Sequence, residues 1–210
     1  MLYLTQFITS ETTMNKTDQL RKMLRRGLVD SAAMHRADIP FSLVYALMKR
    51  GEAKRAARGL YSSADAAYSD MADYEMIAMK VPQGVFCLLS ALRIYDLTDE
   101  NPHKLYVAIR HGYHPPRVAY PPIRFVYRSE PLFSAEIVTR RSNGVAIRVY
   151  SLEQTLADCF MFRNAIGQDV ALAALKEAFS KNRVDRNKLW EAARRCRVTR
   201  IMRPYLEAFS

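Results

Sequence analysis

Five cationic side chains lie close together near two glycines, in a stretch that could bind phosphate groups. The stretch covers residues 38–61 and reads DIPFSLVYALMKRGEAKRAARGLY. Its cations are Lys49, Arg50, Lys54, Arg55 and Arg58. Lysine and arginine contacts to backbone phosphates supply the salt-dependent part of nucleic-acid affinity. The spacing therefore predicts a surface for a polyanion, with duplex DNA as the first candidate.

Three short helices and a β-hairpin are predicted to position these cations. Apolar residues recur at helical spacing after Thr17, after Asp30 and after Pro40. The basic segment that follows is too short for another helix, and Gly59 favours a turn near its end. Short helices with tight links, followed by such a hairpin, are typical of a winged helix-turn-helix.

The third predicted helix is the one that would enter the major groove. In a helix-turn-helix, residues near the start of the second helix of the motif reach the base edges. The predicted DNA-binding residues are Ser42, Tyr45, Lys49, Arg50, Lys54, Arg55 and Arg58. Two alternatives stay open. The cations could form an ordinary surface turn, and Phe41 and Tyr45 could pack in a core or a dimer contact.

The net charge of +11 is concentrated at two places along the chain. Residues 1–63 hold 11 basic and 5 acidic side chains, residues 181–203 hold 9 and 2, and the remainder is nearly neutral. The second excess includes Arg194, Arg195, Arg197, Arg200 and Arg203. These arginines fit a solvated helical face, a second nucleic-acid surface or a surface for an acidic partner. The nucleic-acid surface is favoured because the excess is so dense.

Other residues that carry chemistry in proteins give weaker signals. His111 and His114 lie in a Gly/Pro-rich loop without nearby Cys or paired carboxylates, so we expect them to face solvent. Ser90 has no histidine or acid placed to activate it and is expected to be packed. Asp158 and Arg163 are predicted to form a structural ion pair. We expect no catalytic residue, no metal site and no cofactor, and no glycine-rich phosphate loop is present.

Composition favours a cytoplasmic globular protein. No apolar run approaches the roughly 20 residues that span a bilayer. The opening stretch is a poor signal peptide and is expected to be a tail, with Met1 or Met14 as the start of the protein. Cys87, Cys159 and Cys196 are far apart in sequence and predict buried thiols in a reducing compartment.

An α+β fold with two domains is predicted. We expect a tail over 1–15, a winged helix-turn-helix over 16–63, a connecting helix over 64–80 and a C-terminal domain over 81–210. In that domain, β-branched and aromatic runs at 104–110, 123–128, 134–141 and 145–150 predict a small antiparallel sheet. Asn143-Gly144 is a strong hairpin signal between the last two runs. Helices are expected from Ser151, which begins a capping box with Gln154.

Two parts of the chain carry motifs that occur together, in this order, in one known family. The first reads LVDSAAMHRADIPFSLVYALMKRGEAKRAARGLYS. The second comprises VFCLLSALRIYDLTDENPHKLYVAIRHG and VYSLEQTLADCFMFRNAIGQDVALAALKEAF. Over residues 17–180 the chain resembles the AbiEi-type antitoxins of type IV toxin–antitoxin systems. The basic segment after Lys181 has no close counterpart in that pattern.

The resemblance implies a bacterial-type antitoxin with a role in phage defence. Its winged domain would bind inverted repeats in its own promoter, as a monomer or weak dimer, and repress transcription. Its C-terminal domain would counter a nucleotidyltransferase-like toxin, and the family does not generally form a tight complex with that toxin. Two other functions stay open. One is a stand-alone transcription regulator that senses a ligand or partner, and the other is an RNA- or tRNA-binding protein.

Overall fold

Helices and strands both contribute to the described part of the chain, and the predicted α+β class is confirmed. The structure is a computed structural model that describes residues 15–57, 59–66, 70–100 and 103–208. The chain divides into two units, residues 1–68 and residues 69–210. Each unit has its own hydrophobic core.

The described residues of the first unit form three helices and three short strands. They are α1 (Lys16–Arg26), β1 (Val29–Asp30), α2 (Ser31–Arg36), α3 (Phe41–Lys49), β2 (Ala53–Ala57) and β3 (Leu60–Ser63). The strands pair antiparallel in the order β1-β3-β2. The helices and the hairpin thus occur where the sequence predicted them, and β1 adds a strand that the sequence pattern did not reveal.

Backbone hydrogen bonds explain where the helices of the first unit begin and end. The Asp30 carboxylate accepts a bond of 2.6 Å from the amide of Ala33 and caps α2. After α3, Gly51 takes a φ of +69° and the Glu52 amide donates to the Leu47 carbonyl at 2.9 Å. This is the pattern of a Schellman motif, in which glycine adopts the left-handed conformation without strain. It directs the chain from α3 straight into β2.

The core of the first unit determines which side of α3 faces outward. Val44 and Leu47 are 0% and 1% exposed and pack into a cluster of buried apolar residues. The cluster contains Leu20, Leu24, Val29, Met34, Ile39, Val44, Leu47, Ala53 and Tyr61. Because both strands of the hairpin contribute to this cluster, the hairpin and α3 share one core.

The second unit contains a sheet with helices before and after it in the chain. Its elements are α4 (Ala72–Lys80), β4 (Val85–Phe86), α5 (Leu88–Ile94), β5 (Leu105–Arg110), β6 (Ile123–Arg128), β7 (Ile137–Ser142), β8 (Val145–Tyr150), α6 (Leu152–Met161), α7 (Arg163–Ile166), α8 (Gln168–Ser180), α9 (Arg186–Arg195) and α10 (Thr199–Ala208). Its strand order is β6-β5-β4-β8-β7.

The antiparallel sheet predicted for the second unit is correct for the β7–β8 hairpin and wrong for the other predicted strands. Strand β4, which pairs antiparallel with β5, was not predicted from the sequence. The β7–β8 hairpin turns at Asn143-Gly144, where both residues have positive φ, as the sequence predicted. However, β5 pairs with β6 in parallel, and β4 pairs with β8 in parallel. A parallel pair needs a crossover connection of about a dozen residues. The loop over 111–122 provides it between β5 and β6.

The helix that the sequence predicted as a connection over 64–80 belongs to the second unit. It starts at Ala72, and its Glu75 side chain is only 2% exposed. The Glu75 carboxylate accepts hydrogen bonds from Ser142 and Asn143 at the tip of the β7–β8 hairpin. A buried carboxylate needs such partners. The bonds therefore attach α4 to the sheet, which a connecting helix would not require.

A buried ion pair joins the sheet of the second unit to α6. Arg128 Nη2 lies 2.7 Å from Asp158 Oδ2, and the two side chains are 2% and 0% exposed. The predicted ion pair between Asp158 and Arg163 is therefore wrong, because Arg163 donates instead to the Phe160 carbonyl. Asp158 lies on the buried side of α6, which faces the strand end that carries Arg128.

Besides Arg128, two neutral groups contact the buried Asp158 carboxylate. Its Oδ1 accepts from Gln154 Nε2 at 2.8 Å and from Cys196 Sγ at 3.2 Å. Burial raises the pKa of the Asp158 carboxyl, and Arg128 and these hydrogen bonds offset part of that rise. The Arg128 guanidinium also lies over the Tyr150 ring, 5.6 Å from its centroid. As predicted, Cys196 and the other two cysteines are buried free thiols.

Among the described residues, no helix combines the length and the apolar character needed to cross a membrane.

We predict that the effects of substituting Arg128 and Asp158 on the free energy of unfolding are strongly coupled. Asp158→Asn leaves the Arg128 charge buried without a counterion, which costs about 3–5 kcal/mol in comparable cases. The double variant Arg128→Met, Asp158→Leu removes both charges and should lose less stability than Asp158→Asn alone. Urea unfolding followed by fluorescence of Trp190, the single tryptophan, measures both.

The matched control for this prediction is Arg163→Met. It removes an arginine from the same region but only one hydrogen bond to a carbonyl, which corresponds to about 0.5–1.5 kcal/mol. A double variant as unstable as Asp158→Asn would contradict the coupling.

Candidate nucleic-acid interface

The outward face of α3 carries polar, aromatic and basic side chains. Tyr45 is 54% exposed and Phe41 is 39% exposed, whereas Val44 on the opposite side is fully buried. The other predicted residues of this helix are also exposed: Ser42, Lys49 and the capping residue Arg50. Positions separated by three or four residues share a helix face, so Ser42, Tyr45 and Lys49 form one continuous strip.

An aromatic cluster supports Tyr45 at the surface of the first unit. The ring of Phe41 lies 5.9 Å from that of Tyr45 and 5.8 Å from that of Tyr61, measured between centroids. Tyr61 is 3% exposed, and its pKa is raised first by burial and then by the adjacent Tyr45 hydroxyl. Tyr45 is therefore not a core residue, because its ring is exposed, but the contact with the Phe41 ring supports it at the surface.

The hairpin cations differ in what they contact. Lys54 and Arg55 are both exposed on β2, which follows α3. The Lys54 ammonium donates to the carbonyls of Ala64 and Ala66 at 3.0 and 2.9 Å. Lys54 therefore stabilises the turn after β3 and is less available for phosphate than its sequence position suggested. Arg58 lies outside the described residues.

Three carboxylates of the first unit form ion pairs with cations of α1. Arg21 Nε lies 2.7 Å from Glu52, and its Nη1 lies 2.9 Å from Asp18. Lys16 pairs with Asp38 in the turn between α2 and α3. The hydrogen bond from Arg21 lowers the pKa of Glu52, so this carboxylate stays ionised and paired near neutral pH. The ion pairs of these three acids are therefore with α1, and Glu52 also interacts electrostatically with Arg50.

The arginines predicted as a second basic surface have three different environments. Arg194, Arg197, Arg200 and Arg203 are exposed. Arg195 is directed into the second unit, where its Nη1 donates to Gln154 Oε1 at 2.7 Å and its Nη2 lies 3.7 Å from Glu136. Arg194 and Arg203 lie on the Trp190 ring, each 5.9 Å from its centroid. The surface thus excludes Arg195 and includes an aromatic ring.

Trp190 is a candidate functional residue that sequence reasoning missed. It lines a hollow of about 250 Å³ between α8, α9 and α10. A neighbouring hollow of about 380 Å³ shares Phe179 and Arg186 with it. The available signal was the single tryptophan of the chain, which stands four residues before Arg194 and so on the same helix face.

A larger hollow, of about 500 Å³, lies elsewhere in the second unit. Its lining comprises Asp70, Met71, Asp73, Tyr74, Arg93, Asp96, Thr98, His103, Leu105, Tyr120, Pro121 and Pro122. Burial raises the pKa of the Asp73 carboxyl there. Throughout the described ranges, no group of three or more His, Cys, Asp or Glu side chains could hold a metal ion. His111 packs edge-on against Tyr127, with 6.4 Å between the ring centroids.

Comparisons with known proteins found neither a family model nor a curated protein that matches this chain. Membership of the AbiEi-type antitoxins therefore stays a prediction.

We predict that Lys54 acts mainly on the turn after β3. Lys54→Ala removes both bonds to the Ala64 and Ala66 carbonyls, so amide hydrogen exchange in residues 59–66 should accelerate by about fivefold to tenfold, equivalent to about 1 kcal/mol. Mass spectrometry of exchange measures this change. Lys49→Ala removes another exposed cation that does not contact these carbonyls and should leave exchange there unaltered. Equal protection in both variants would refute the assignment.

Proposed function

We propose that the first unit is a winged helix-turn-helix that binds duplex DNA in the promoter of its own gene. One observation carries the proposal: α3 presents Ser42, Tyr45 and Lys49 outward as a strip. Arg50 and Arg55 are exposed where the chain leaves α3 and enters the hairpin. In this proposal Ser42 and Tyr45 contact base edges in the major groove, while Lys49, Arg50 and Arg55 contact phosphates.

The order of the elements supports this proposal. A winged helix-turn-helix runs helix, strand, helix, helix and hairpin, and the strand after its first helix pairs with the returning strand of the hairpin. Here β1 follows α1 and pairs with β3, and β2 and β3 form the hairpin. The Schellman motif at Gly51 connects α3 to β2 through only three residues, so hairpin and helix would meet the same duplex.

We further propose that the chain is a cytoplasmic antitoxin of a type IV system and represses its own operon. Its partner would be a nucleotidyltransferase-like toxin, which it opposes without a requirement for a tight complex. The support is the order of the motifs over residues 17–180, including EQTLADCF. In the structure this segment forms α6, which contains Asp158 of the buried ion pair.

A stand-alone regulator that senses a small ligand is the second candidate, and the hollow of about 500 Å³ favours it. Its volume lies within the range of about 300–1,000 Å³ that is usual for ligand pockets. Arg93, His103 and Thr98 provide polar groups beside the apolar surface of Leu105. Such a regulator would bind the same operator but would not protect cells from a toxin.

We predict that charge removal on α3 weakens binding to every duplex. Lys49→Ala and Arg50→Ala should each reduce the slope of log affinity against log salt by about 0.9 per lost phosphate contact. Ser42→Ala should instead change the preference between the upstream region and an unrelated duplex. Fluorescence anisotropy at several salt concentrations measures both effects.

Lys104→Ala is the control for the DNA-binding prediction, since it removes one exposed cation from the second unit. Its salt slope should match that of the unmodified protein. The proposal fails if the intact protein shows no affinity for its upstream region even at low salt.

We predict that the chain rescues growth when it is co-expressed with a nucleotidyltransferase encoded beside it. The double variant Lys49→Ala, Arg50→Ala, expressed from an unrelated promoter, should still rescue, because it alters only the proposed DNA surface. The same variant should lose repression of a reporter under the native promoter. Growth assays and reporter activity measure the two roles separately. Repression without any rescue would support the stand-alone regulator instead.

A further inference from the structure

Two neighbouring hollows on the second unit share an aromatic ring and a guanidinium. Phe179 of α8 and Arg186 of α9 line both of them. The Arg186 guanidinium carbon lies 5.2 Å from the centroid of the Phe179 ring. Phe179 packs against the core of the unit, and this contact holds the wall that the two hollows share. The hollows are thus two adjacent compartments on one surface.

Each compartment combines groups that suit one nucleotide. The hollow of about 250 Å³ has the Trp190 ring, the Asn187 amide and the Arg203 guanidinium. The hollow of about 380 Å³ has Lys176, Ser180 and Asn182 beside Phe179. Aromatic faces stack on bases that are not paired in a duplex. Amide side chains can bond to base edges, and the cations suit phosphate. A duplex offers no free base face, so its bases could not use these rings.

The guanidiniums around Trp190 are held by weak contacts. Arg194 and Arg203 both lie 5.9 Å from the ring centroid. Arg203 lies 4.0 Å from Glu207, and both side chains are largely exposed. An exposed ion pair of this kind contributes little free energy. Arg203 can therefore exchange Glu207 for a phosphate while the indole face accepts a base.

We propose that this surface binds single-stranded nucleic acid, with one base on Trp190 and the next in the hollow beside Phe179. Arg186 stands between the two compartments and would contact the phosphate that joins the two nucleotides. An acidic peptide such as poly-glutamate would match the charge but has no aromatic ring to stack in the two hollows. The site is independent of the proposed duplex binding by α3, because its residues all belong to the second unit.

Intrinsic fluorescence tests the proposal directly, because Trp190 is the only tryptophan in the chain. The intact protein is titrated with octamers of uridylate or of thymidylate and with a poly-glutamate peptide. Quenching by either octamer is expected, and the two octamers distinguish RNA from DNA. Excess duplex from the upstream region should not abolish the quenching. Absence of quenching by both octamers, equal quenching by the peptide, or full competition by duplex would each overturn the proposal.

Variants separate stacking from a structural role for Trp190. Trp190→Phe keeps an aromatic face, whereas Trp190→Leu keeps an apolar side chain without one. Anisotropy of labelled octamers should show at least about fivefold weaker binding for Trp190→Leu than for Trp190→Phe. Arg203→Gln should also weaken binding, while Lys188→Gln removes an exposed cation of α9 that lines neither hollow. Equal losses for Arg203→Gln and Lys188→Gln would indicate general charge attraction and reject the site.

Two variants separate single-strand binding by the second unit from promoter binding by the first unit. The double variant Lys49→Ala, Arg50→Ala should retain full quenching by single strands even where it no longer binds duplex. Conversely, Trp190→Leu should retain its affinity for the upstream duplex. A loss of duplex affinity in Trp190→Leu equal to its loss of single-strand affinity would overturn the assignment of a separate site.

Discussion

The buried pair between Arg128 and Asp158 is the interaction on which the second unit depends. Arg128 ends β6, an edge strand that pairs only with β5 in the sheet as described. Asp158 lies in α6, so the pair attaches the outermost strand to the helix that crosses the core. Neither charge can remain buried without the other, because the free energy of desolvating an isolated ion is too large. The register of β6 against α6 is thereby restricted to the one arrangement in which the two charges meet.

Hydrogen bonds next to this ion pair determine which side chains of α9 face solvent. Gln154 bonds to Asp158 and also accepts from Arg195, so α9 is oriented by a polar contact as well as by its apolar face. With Arg195 directed inward, the adjacent Arg194 and the residue one turn earlier, Trp190, lie toward the surface. The outer surface that we assign to single strands is therefore a consequence of the buried polar centre.

The first unit follows a simpler rule, in which apolar burial alone selects the outward face of α3. Because Val44 and Leu47 lie in the core, Ser42 and Tyr45 must face outward, and this could be anticipated from helical periodicity. The hydrogen bonds of Lys54 could not be anticipated in this way. Its bonds to carbonyls after β3 depend on the closure of the hairpin, which brings together groups ten and twelve residues apart. Cation density in a sequence therefore overstates how many charges a surface can offer to phosphate.

The sequence by itself determined the elements whose cause is local. Helical periodicity, caps and the Asn143-Gly144 turn act within a few residues, so the α+β class, the three helices of the first unit and the β7–β8 hairpin were predictable. Only the tertiary structure decided that β5 and β6 run parallel and that Asp158 pairs with Arg128 rather than with the nearer Arg163. Those outcomes depend on which groups lose contact with water together. Desolvation is a property of the assembled core, and no short stretch of sequence encodes it.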